Sequence, residues 1–169
     1  PGDRVLRAMP EMMSEAALQS LKNDGIEFLA KGRVQTMRPG ELIVGTANGD
    51  IRIQAATVIW TAGVRASHLG KKLAETTGCE VDRGGRVIVQ HDFSIPDHPE
   101  IRVAGDLSSY SHTSDGQPLP GIASPAKQAG TYIGRYIAAI VAERPRPTFQ
   151  YFDFGIMAVL DRASAVADL

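Results

Sequence analysis

Two short stretches of the sequence carry residue types that could bind a strongly polar or anionic ligand. An apolar run, Ile101 to Ala104, is followed by Gly105 and Asp106, which places a carboxylate at the end of a predicted strand. After a loop rich in serine, glycine and proline, Ser124 and Pro125 predict the capping residue and first residue of a long helix. The first amide groups of a helix have no intrahelical acceptor and carry the positive end of its dipole. Together the two stretches predict a site for hydroxyl groups and an anionic edge.

This pair can bind a flavin, although a Gly-Asp pair at the end of a strand, taken by itself, is more often ordinary turn chemistry. The Asp106 carboxylate can accept hydrogen bonds from ribitol hydroxyls, and the amides around 123–126 can face the pyrimidine edge, where negative charge gathers when the ring takes up a hydride. The turn alternative therefore stays open. No two glycines are separated by one residue, so the sequence lacks the G-x-G-x-x-G fingerprint. No Gly-Lys pair is followed by Ser or Thr, so the phosphate loop of nucleotide hydrolases is also absent from the sequence.

The remaining reactive side chains give weaker indications. The four histidines have no helical metal-ligand spacing, and no metal is assigned to them: His68, His91, His98 and His112. Cys79 is the single cysteine, which rules out an internal disulfide and favours a structural thiol in a reducing compartment. The run Arg83-Gly84-Gly85-Arg86 favours a hairpin turn, with phosphate binding as the alternative.

Composition narrows the class of protein. The chain has 169 residues, 43% of them hydrophobic and 22% charged, which is typical of a globular domain and excludes disordered or coiled-coil compositions. A net charge of -1 disfavours binding to nucleic acid. The longest uncharged run, Ile53 to Val64, has 12 residues, and a span of the bilayer needs roughly 18. The sequence starts without methionine and stops inside a predicted strand, so we expect both ends to be internal to a longer protein.

Hydrophobic periodicity predicts the elements that position these residues. A helix over Glu15 to Asp24 is predicted from Ser14 as N-cap and Gly25 as terminator. Short strands are predicted next, with turns at Pro39-Gly40 and Asn48-Gly49: Ile26 to Ala30, Val34 to Met37, Leu42 to Val44 and Ile51 to Ile53.

The second part of the chain shows a different pattern. The continuous apolar run from Thr57 to Ala62 predicts a strand buried on both faces. Ser67 and Gly78 predict the start and the end of a short helix. The spacing of Gly130 and Gly134 favours close packing of the long helix that begins near Pro125. Further strands are predicted at Arg86 to Val89 and Ile101 to Ala104, and a closing hairpin at Ile156 to Leu160 and Ser164 to Ala167.

Several segments, in this order along the chain, resemble a known family. They are Val58 to Ala66, Arg102 to Leu107, Leu119 to Gly121, Ala123 to Gly130, Tyr151 to Ala158 and Arg162 to Asp168. They resemble the second half of type II NADH dehydrogenases, the non-proton-pumping NADH:quinone oxidoreductases of the pyridine nucleotide-disulfide oxidoreductase-like flavoprotein superfamily. Two positions differ from that family, which commonly has glutamine in place of Ser124 and often lysine in place of Phe154.

The resemblance implies an α/β fold: part of a flavoprotein with two dinucleotide-binding domains, in which parallel sheet pieces accompany an antiparallel β-meander. Residues 1–63 are then the latter half of the NADH-binding domain, with the meander and the strand that crosses to the FAD-binding domain. Residues 64–148 are the latter half of the FAD-binding domain. Residues 149–169 begin a C-terminal region. Both glycine-rich halves would lie upstream, so we expect the 169 residues alone to be inactive.

The resemblance also implies a reaction and its site. In that family hydride passes from NADH to FAD, and electrons then pass to a membrane quinone in the respiratory chain. No residue of this chain is assigned as catalytic. The implied cofactor contacts are Thr61, Ala62, Gly63, Gly105, Asp106, Ala123, Ser124 and Ala126. Gln128 and Met157 are implied on the quinone side.

The implied setting is the cytoplasm, with the complete protein peripheral to the inner face of the cell membrane and able to form a homodimer. Two alternatives stay open. Another FAD and NAD(P) oxidoreductase, of the ferredoxin reductase or sulfide:quinone reductase type, would share the Gly-Asp element. A non-catalytic assembly module would keep the fold without its cofactor.

Overall fold

The computed structural model describes residues 2–162 and 164–168. The described chain divides into two compact units. The first contains residues 2–61 together with 154–162 and 164–168, and the second contains residues 62–153.

Helix α1 of the first unit spans Glu11–Asn23 and begins a turn earlier than predicted. The expected cap, Ser14, lies inside the helix with 2% of its surface exposed, and its hydroxyl donates to the carbonyl of Val5. The N-cap is Pro10, and proline is well tolerated there because the amides at a helix start have no intrahelical acceptor. The predicted terminator is confirmed: Gly25 has φ +77° and its amide donates to the carbonyl of Lys22.

The predicted meander is confirmed as a three-stranded antiparallel sheet of order β1-β2-β3. Its strands are β1 (Arg33–Arg38), β2 (Glu41–Thr46) and β3 (Gly49–Gln54). Gly40 and Gly49, with φ +81° and +111°, supply the left-handed backbone at the two turns. The strand predicted at 26–30 is wrong: no described strand pairs with this segment, and Ile26 remains 48% exposed.

The closing hairpin is also confirmed in the first unit. Strand β8 (Ile156–Val159) pairs antiparallel with β9 (Ala165–Asp168). The hydroxyls of Ser20 in α1 and Ser164 lie 3.2 Å apart, so the hairpin contacts the first helix.

The crossover strand predicted at 57–62 is not formed. The segment has no regular secondary structure, and Ile59 and Trp60 are 83% and 58% exposed. A strand buried on both faces needs neighbouring strands for its backbone groups and cover for its side chains. Within the described residues nothing supplies either, so an apolar sequence alone does not make a buried strand here.

The second unit contains helix α2 (His68–Thr77), helix α3 (Ala123–Val141) and four short strands. Both ends of α2 are as predicted: the Ser67 hydroxyl accepts the amide of Leu69 at 3.3 Å, and Gly78 has φ +75°. Strand β4 (Val87–Ile88) pairs parallel with β7 (Ser108–Ser109), and β5 (Ser94–Ile95) pairs antiparallel with β6 (His98–Arg102).

The core of the second unit lies between these strands and α3. Val87, Phe93 and Ile95 are at most 1% exposed, and the ring of Phe93 stacks on that of Tyr110 at 4.4 Å between centroids. Cys79 lies in the same core with 8% of its surface exposed, as expected of a structural thiol.

The end of β6 is held by a cluster of polar and aromatic side chains. The guanidinium of Arg102 lies 3.0 Å from the Asp92 carboxylate and 4.3 Å from the centre of the Tyr136 ring. Burial by itself raises the pKa of Asp92, but hydrogen bonds from Ser94 and the charge of Arg102 hold it below its ordinary value. Because Arg102 ends β6, this cluster orients the segment that leads to Gly105.

Candidate flavin-binding cavity

Strand β6 ends at Arg102, short of the end predicted at Ala104, and Gly105 and Asp106 form the turn that follows Val103 and Ala104. Gly105 has φ +69°, and a Cβ placed on it would lie 3.5 Å from the Cβ of Ala126. The end of the strand segment and the start of α3 are therefore in direct contact, as the sequence predicted. Asp106 is the middle residue of a single 3-10 turn, Gly105–Leu107, and is exposed, and no described residue donates a hydrogen bond to its carboxylate.

Helix α3 begins two residues before the predicted position. Its N-cap is Ile122, with extended backbone, and no side chain caps it. The prediction of Ser124 as cap is wrong: its hydroxyl lies inside the first turn and accepts a hydrogen bond from the side-chain Nε2 of Gln128 at 3.1 Å. A proline is tolerated anywhere in the first turn, so Pro125 does not fix the start. The first turn contains no acidic residue, which leaves its amides open to an external acceptor.

In the second unit, Gly105, Asp106 and the first turn of α3 line one cavity of about 990 Å³. Its wall is made by residues 64–67, the turn at 82–86, residues 104–108, residues 119–122 and the first turns of α3. Pockets that hold cofactors are usually of roughly 300–1,000 Å³, so the space suits a ligand of this size.

The predicted site residues fall into three groups. Gly105, Asp106 and Ala126 line the cavity. Ala62 and Gly63 directly precede the lining segment, and Ala123 and Ser124 form the open start of α3 without lining the cavity. Thr61 is exposed and belongs to the first unit.

The two residues implied on the quinone side belong to different units. Gln128 binds the backbone of Phe152 through both ends of its amide: its Nε2 donates to the carbonyl at 2.8 Å, and its Oε1 accepts the amide at 2.9 Å. Met157 lies in β8 with 67% of its surface exposed. Gln128 thus has a structural role that the sequence did not predict.

The cavity wall also contains charged residues that the sequence did not assign to the flavin site: Arg65, Asp82, Arg83 and Arg86. Asp82 shapes the turn: its carboxylate accepts the amides of Gly84 and Arg86 and pairs with the Arg86 guanidinium at 2.7 Å. Burial alone raises the pKa of Asp82, yet the hydrogen bonds from Arg86 and Gly84 hold it below its ordinary value. In the sequence this turn is indicated by the run 83–86, which favours a hairpin turn, with phosphate binding as the alternative.

The described part of the chain contains neither a metal-binding cluster nor a membrane-spanning helix. Residues 2–162 and 164–168 contain no group of three or more histidine, cysteine or carboxylate side chains placed to hold a metal ion. Within the same residues, every helix is too short or too polar to cross a bilayer.

A comparison with protein families identifies the class of protein to which this fold belongs. The chain belongs to the pyridine nucleotide-disulphide oxidoreductase family, whose profile matches residues 1–130. Among curated proteins it is 37% identical to the type II NADH:quinone oxidoreductase Ndh of Mycobacterium tuberculosis, over 98% of this chain and 35% of that protein. It is 40% identical to the type II NADH:quinone oxidoreductase NdhA of the same organism, over 72% of this chain and 26% of that protein.

A solved structure shares the fold over almost the whole chain. The structure of NDH2 from Plasmodium falciparum in complex with NADH matches 99% of this chain and 48% of that one, with a TM-score of 0.84 and 15% identity. The match confirms the predicted α/β fold with parallel and antiparallel sheet pieces. The chain spans about a third of the length of the Mycobacterium Ndh protein.

Proposed function

We propose that this chain is part of a flavin-dependent NADH dehydrogenase of the type II class, which passes hydride from NADH to FAD and electrons on to a quinone. The observation that carries the proposal is that Asp106 and the start of α3 line one cavity. The type II relatives support the choice of reaction, since they match 98% and 72% of the chain. They do not favour the ferredoxin reductase, sulfide:quinone reductase or assembly-module alternatives.

The donor and acceptor groups of the cavity fit a flavin. Asp106 offers an unoccupied carboxylate to ribitol hydroxyls. The open amides at the start of α3 offer donors to the pyrimidine edge, and the helix dipole there stabilises negative charge. FAD, when bound, supplies the group that accepts hydride from NADH. Gly105, with φ +69°, supplies the left-handed backbone of the turn that brings both sets of groups to one cavity.

The domain assignment is part of the same proposal. Residues 1–63 belong to the NADH-binding domain, 64–148 to the FAD-binding domain and 149–169 to a C-terminal region. The remaining cofactor contacts are Thr61, Ala62, Gly63, Ala123 and Ser124. Gln128 and Met157 lie on the quinone side. The exposed apolar run at 58–60 supports a larger domain in which further strands cover it.

The cellular setting is part of the same proposal. The complete protein lies at the inner, cytoplasmic face of the cell membrane as a peripheral protein and forms a homodimer. Exposed apolar side chains in the first unit, Phe154, Met157 and Val159, at 62%, 67% and 70%, support contact with an apolar surface.

The test compares Asp106→Asn with Glu80→Gln in the complete protein that contains this chain. Glu80 is also exposed, but it does not line the cavity, so it is a matched control. We expect Asp106→Asn to weaken FAD binding by roughly tenfold or more, because a charged acceptor is replaced by a neutral one. Glu80→Gln should bind FAD as the parent does. Flavin fluorescence quenching measures the dissociation constants.

Two outcomes would contradict the proposal. Asp106→Asn could retain the parent's affinity for FAD, which would show that the carboxylate does not contact the cofactor. The complete protein could also lack any flavin absorbance and bind none, which is the result expected of an assembly module.

A further inference from the structure

We propose that Arg65 and Arg83 bind the phosphate attached to the ribitol chain of the flavin, so that this cavity selects flavin nucleotides over uncharged flavins. The inference rests on the proposed function, because it takes the ligand of the cavity to be a flavin. It assigns a role to two side chains that neither the sequence nor the family relationship placed in the site.

The backbone brings the two arginines side by side. The amide of Ala66 donates to the carbonyl of Gly84 at 2.9 Å. Arg65 directly precedes Ala66, and Arg83 directly precedes Gly84, so both lie next to the same hydrogen bond. Both line the cavity.

Three amides of the turn that carries Arg83 are already used within the turn. The amides of Gly84 and Arg86 donate to the Asp82 carboxylate at 2.8 and 2.9 Å, and the amide of Gly85 donates to the Asp82 carbonyl at 3.0 Å. Side chains are therefore the main donors that this wall offers to an anion. The hairpin predicted from the sequence and the phosphate alternative are compatible, since the backbone forms the turn and a side chain remains for the ligand.

The charges on this wall are unbalanced. Arg86 is neutralised by Asp82. Arg65 and Arg83 form no ion pair with any residue in 2–162 or 164–168. Two guanidinium groups without a carboxylate partner leave positive charge on the cavity wall, and a bound phosphate offsets it. Their planar set of donors matches phosphate oxygens.

The turn that carries Arg83 and the residue after Asp106 both contact helix α2. Gly70 of α2 connects the two regions: a Cβ placed on it would lie 2.5 Å from the carbonyl oxygen of Gly85 and 3.2 Å from Cδ1 of Leu107. The arginine turn is thus one helix contact away from the residue that follows Asp106. In a flavin nucleotide the phosphate is the group bonded to the end of the ribitol chain. Because Asp106, Arg65 and Arg83 line the same cavity, we assign the phosphate of a flavin whose ribitol contacts Asp106 to this part of the wall.

The experiment measures binding of three ligands to the flavin-free complete protein: FAD, FMN and riboflavin. The variants are Arg65→Gln, Arg83→Gln and the double variant, with Arg135→Gln as control because Arg135 is an exposed α3 residue that does not line the cavity. We expect each single variant to weaken FAD and FMN binding by roughly five- to thirtyfold. Riboflavin binding should change by less than about twofold, because riboflavin has no phosphate. Arg83→Lys should restore part of the loss, since it keeps the charge but not the planar fork.

Each other outcome has a distinct meaning. FAD binding that is equal in the parent and both single variants would overturn the inference while leaving the proposed function intact. An equal loss for riboflavin and FMN would overturn it as well, because the arginines would then act through the fold. If the variants weaken NADH binding but not FMN binding, the anion is the phosphate of the nicotinamide nucleotide, and the assignment to ribitol phosphate is wrong. A parent protein that binds no flavin contradicts the proposed function itself.

Discussion

Replacement of Gly70 by alanine should destabilise the second unit. Gly70 is a buried residue inside α2. Its backbone is helical, so alanine is disfavoured there only by the contacts of its added methyl group. A Cβ at this position would lie 2.5 Å from the carbonyl oxygen of Gly85. Ordinary carbon to oxygen contacts are about 3.3 Å or longer. The obstacle is backbone, so the whole turn at 82–86 must shift.

The expected magnitude is a balance of two terms. Overpacking of this kind costs about 1–3 kcal/mol. Alanine in place of glycine inside a helix returns about 1 kcal/mol. The net change should be a loss of about 0–2 kcal/mol in the free energy of unfolding, which for a chain of this length lowers the midpoint of thermal unfolding by up to roughly 8 °C. Since the turn carries part of the cavity wall, the same shift should also weaken flavin binding.

The matched control is Gly134→Ala in α3. A Cβ at Gly134 meets no described atom within 4 Å, and the close packing predicted at Gly130 and Gly134 is not found among the described residues. Gly134→Ala should therefore stabilise the 169-residue chain by about 0.5–1 kcal/mol. Urea unfolding followed by far-UV circular dichroism measures both variants. A Gly70→Ala chain as stable as Gly134→Ala would refute the steric reasoning.

Three further changes follow from other contacts. Asp92 has a lowered pKa, so its contribution to stability is present above the ordinary carboxyl pKa and is lost as the pH falls. Asp92→Asn should therefore reduce the loss of stability toward low pH, measured by urea unfolding between pH 2 and 6. A loss equal to that of the parent would contradict this. Burial raises the pKa of Tyr132 to about 12, so stability should fall between pH 10 and 12. Correspondingly, Tyr132→Phe should leave the phenolate absorbance at 295 nm unchanged near pH 11, and a clear decrease there would show that Tyr132 ionises normally. Gln128→Ala should remove the two hydrogen bonds to Phe152 and lower the free energy of unfolding by roughly 1 kcal/mol. The Phe152 amide should then exchange its hydrogen faster than in the parent. An equal exchange rate would show that these hydrogen bonds are not formed in solution.

The sequence alone determined the local features that depend on a few neighbouring residues. Gly25, Gly40, Gly49 and Gly78 mark turns or helix ends because each adopts a backbone conformation that other residues rarely accept. The Gly105-Asp106 pair and the following helix were also found from residue type and order.

Features that depend on distant residues were decided only by the tertiary structure. The run at 57–62 has the composition of a buried strand, but burial depends on what covers it, and no described residues do. Ser14 and Ser124 have the residue type of N-caps, yet each hydroxyl found another role, with Val5 and with Gln128. Arg65 and Arg83 are 18 positions apart in the sequence, and only the hydrogen bond between Ala66 and Gly84 places them together. Local backbone preferences act over a few residues and can be seen in sequence, whereas cover, neighbours and charge partners come from chain segments that only folding brings into contact.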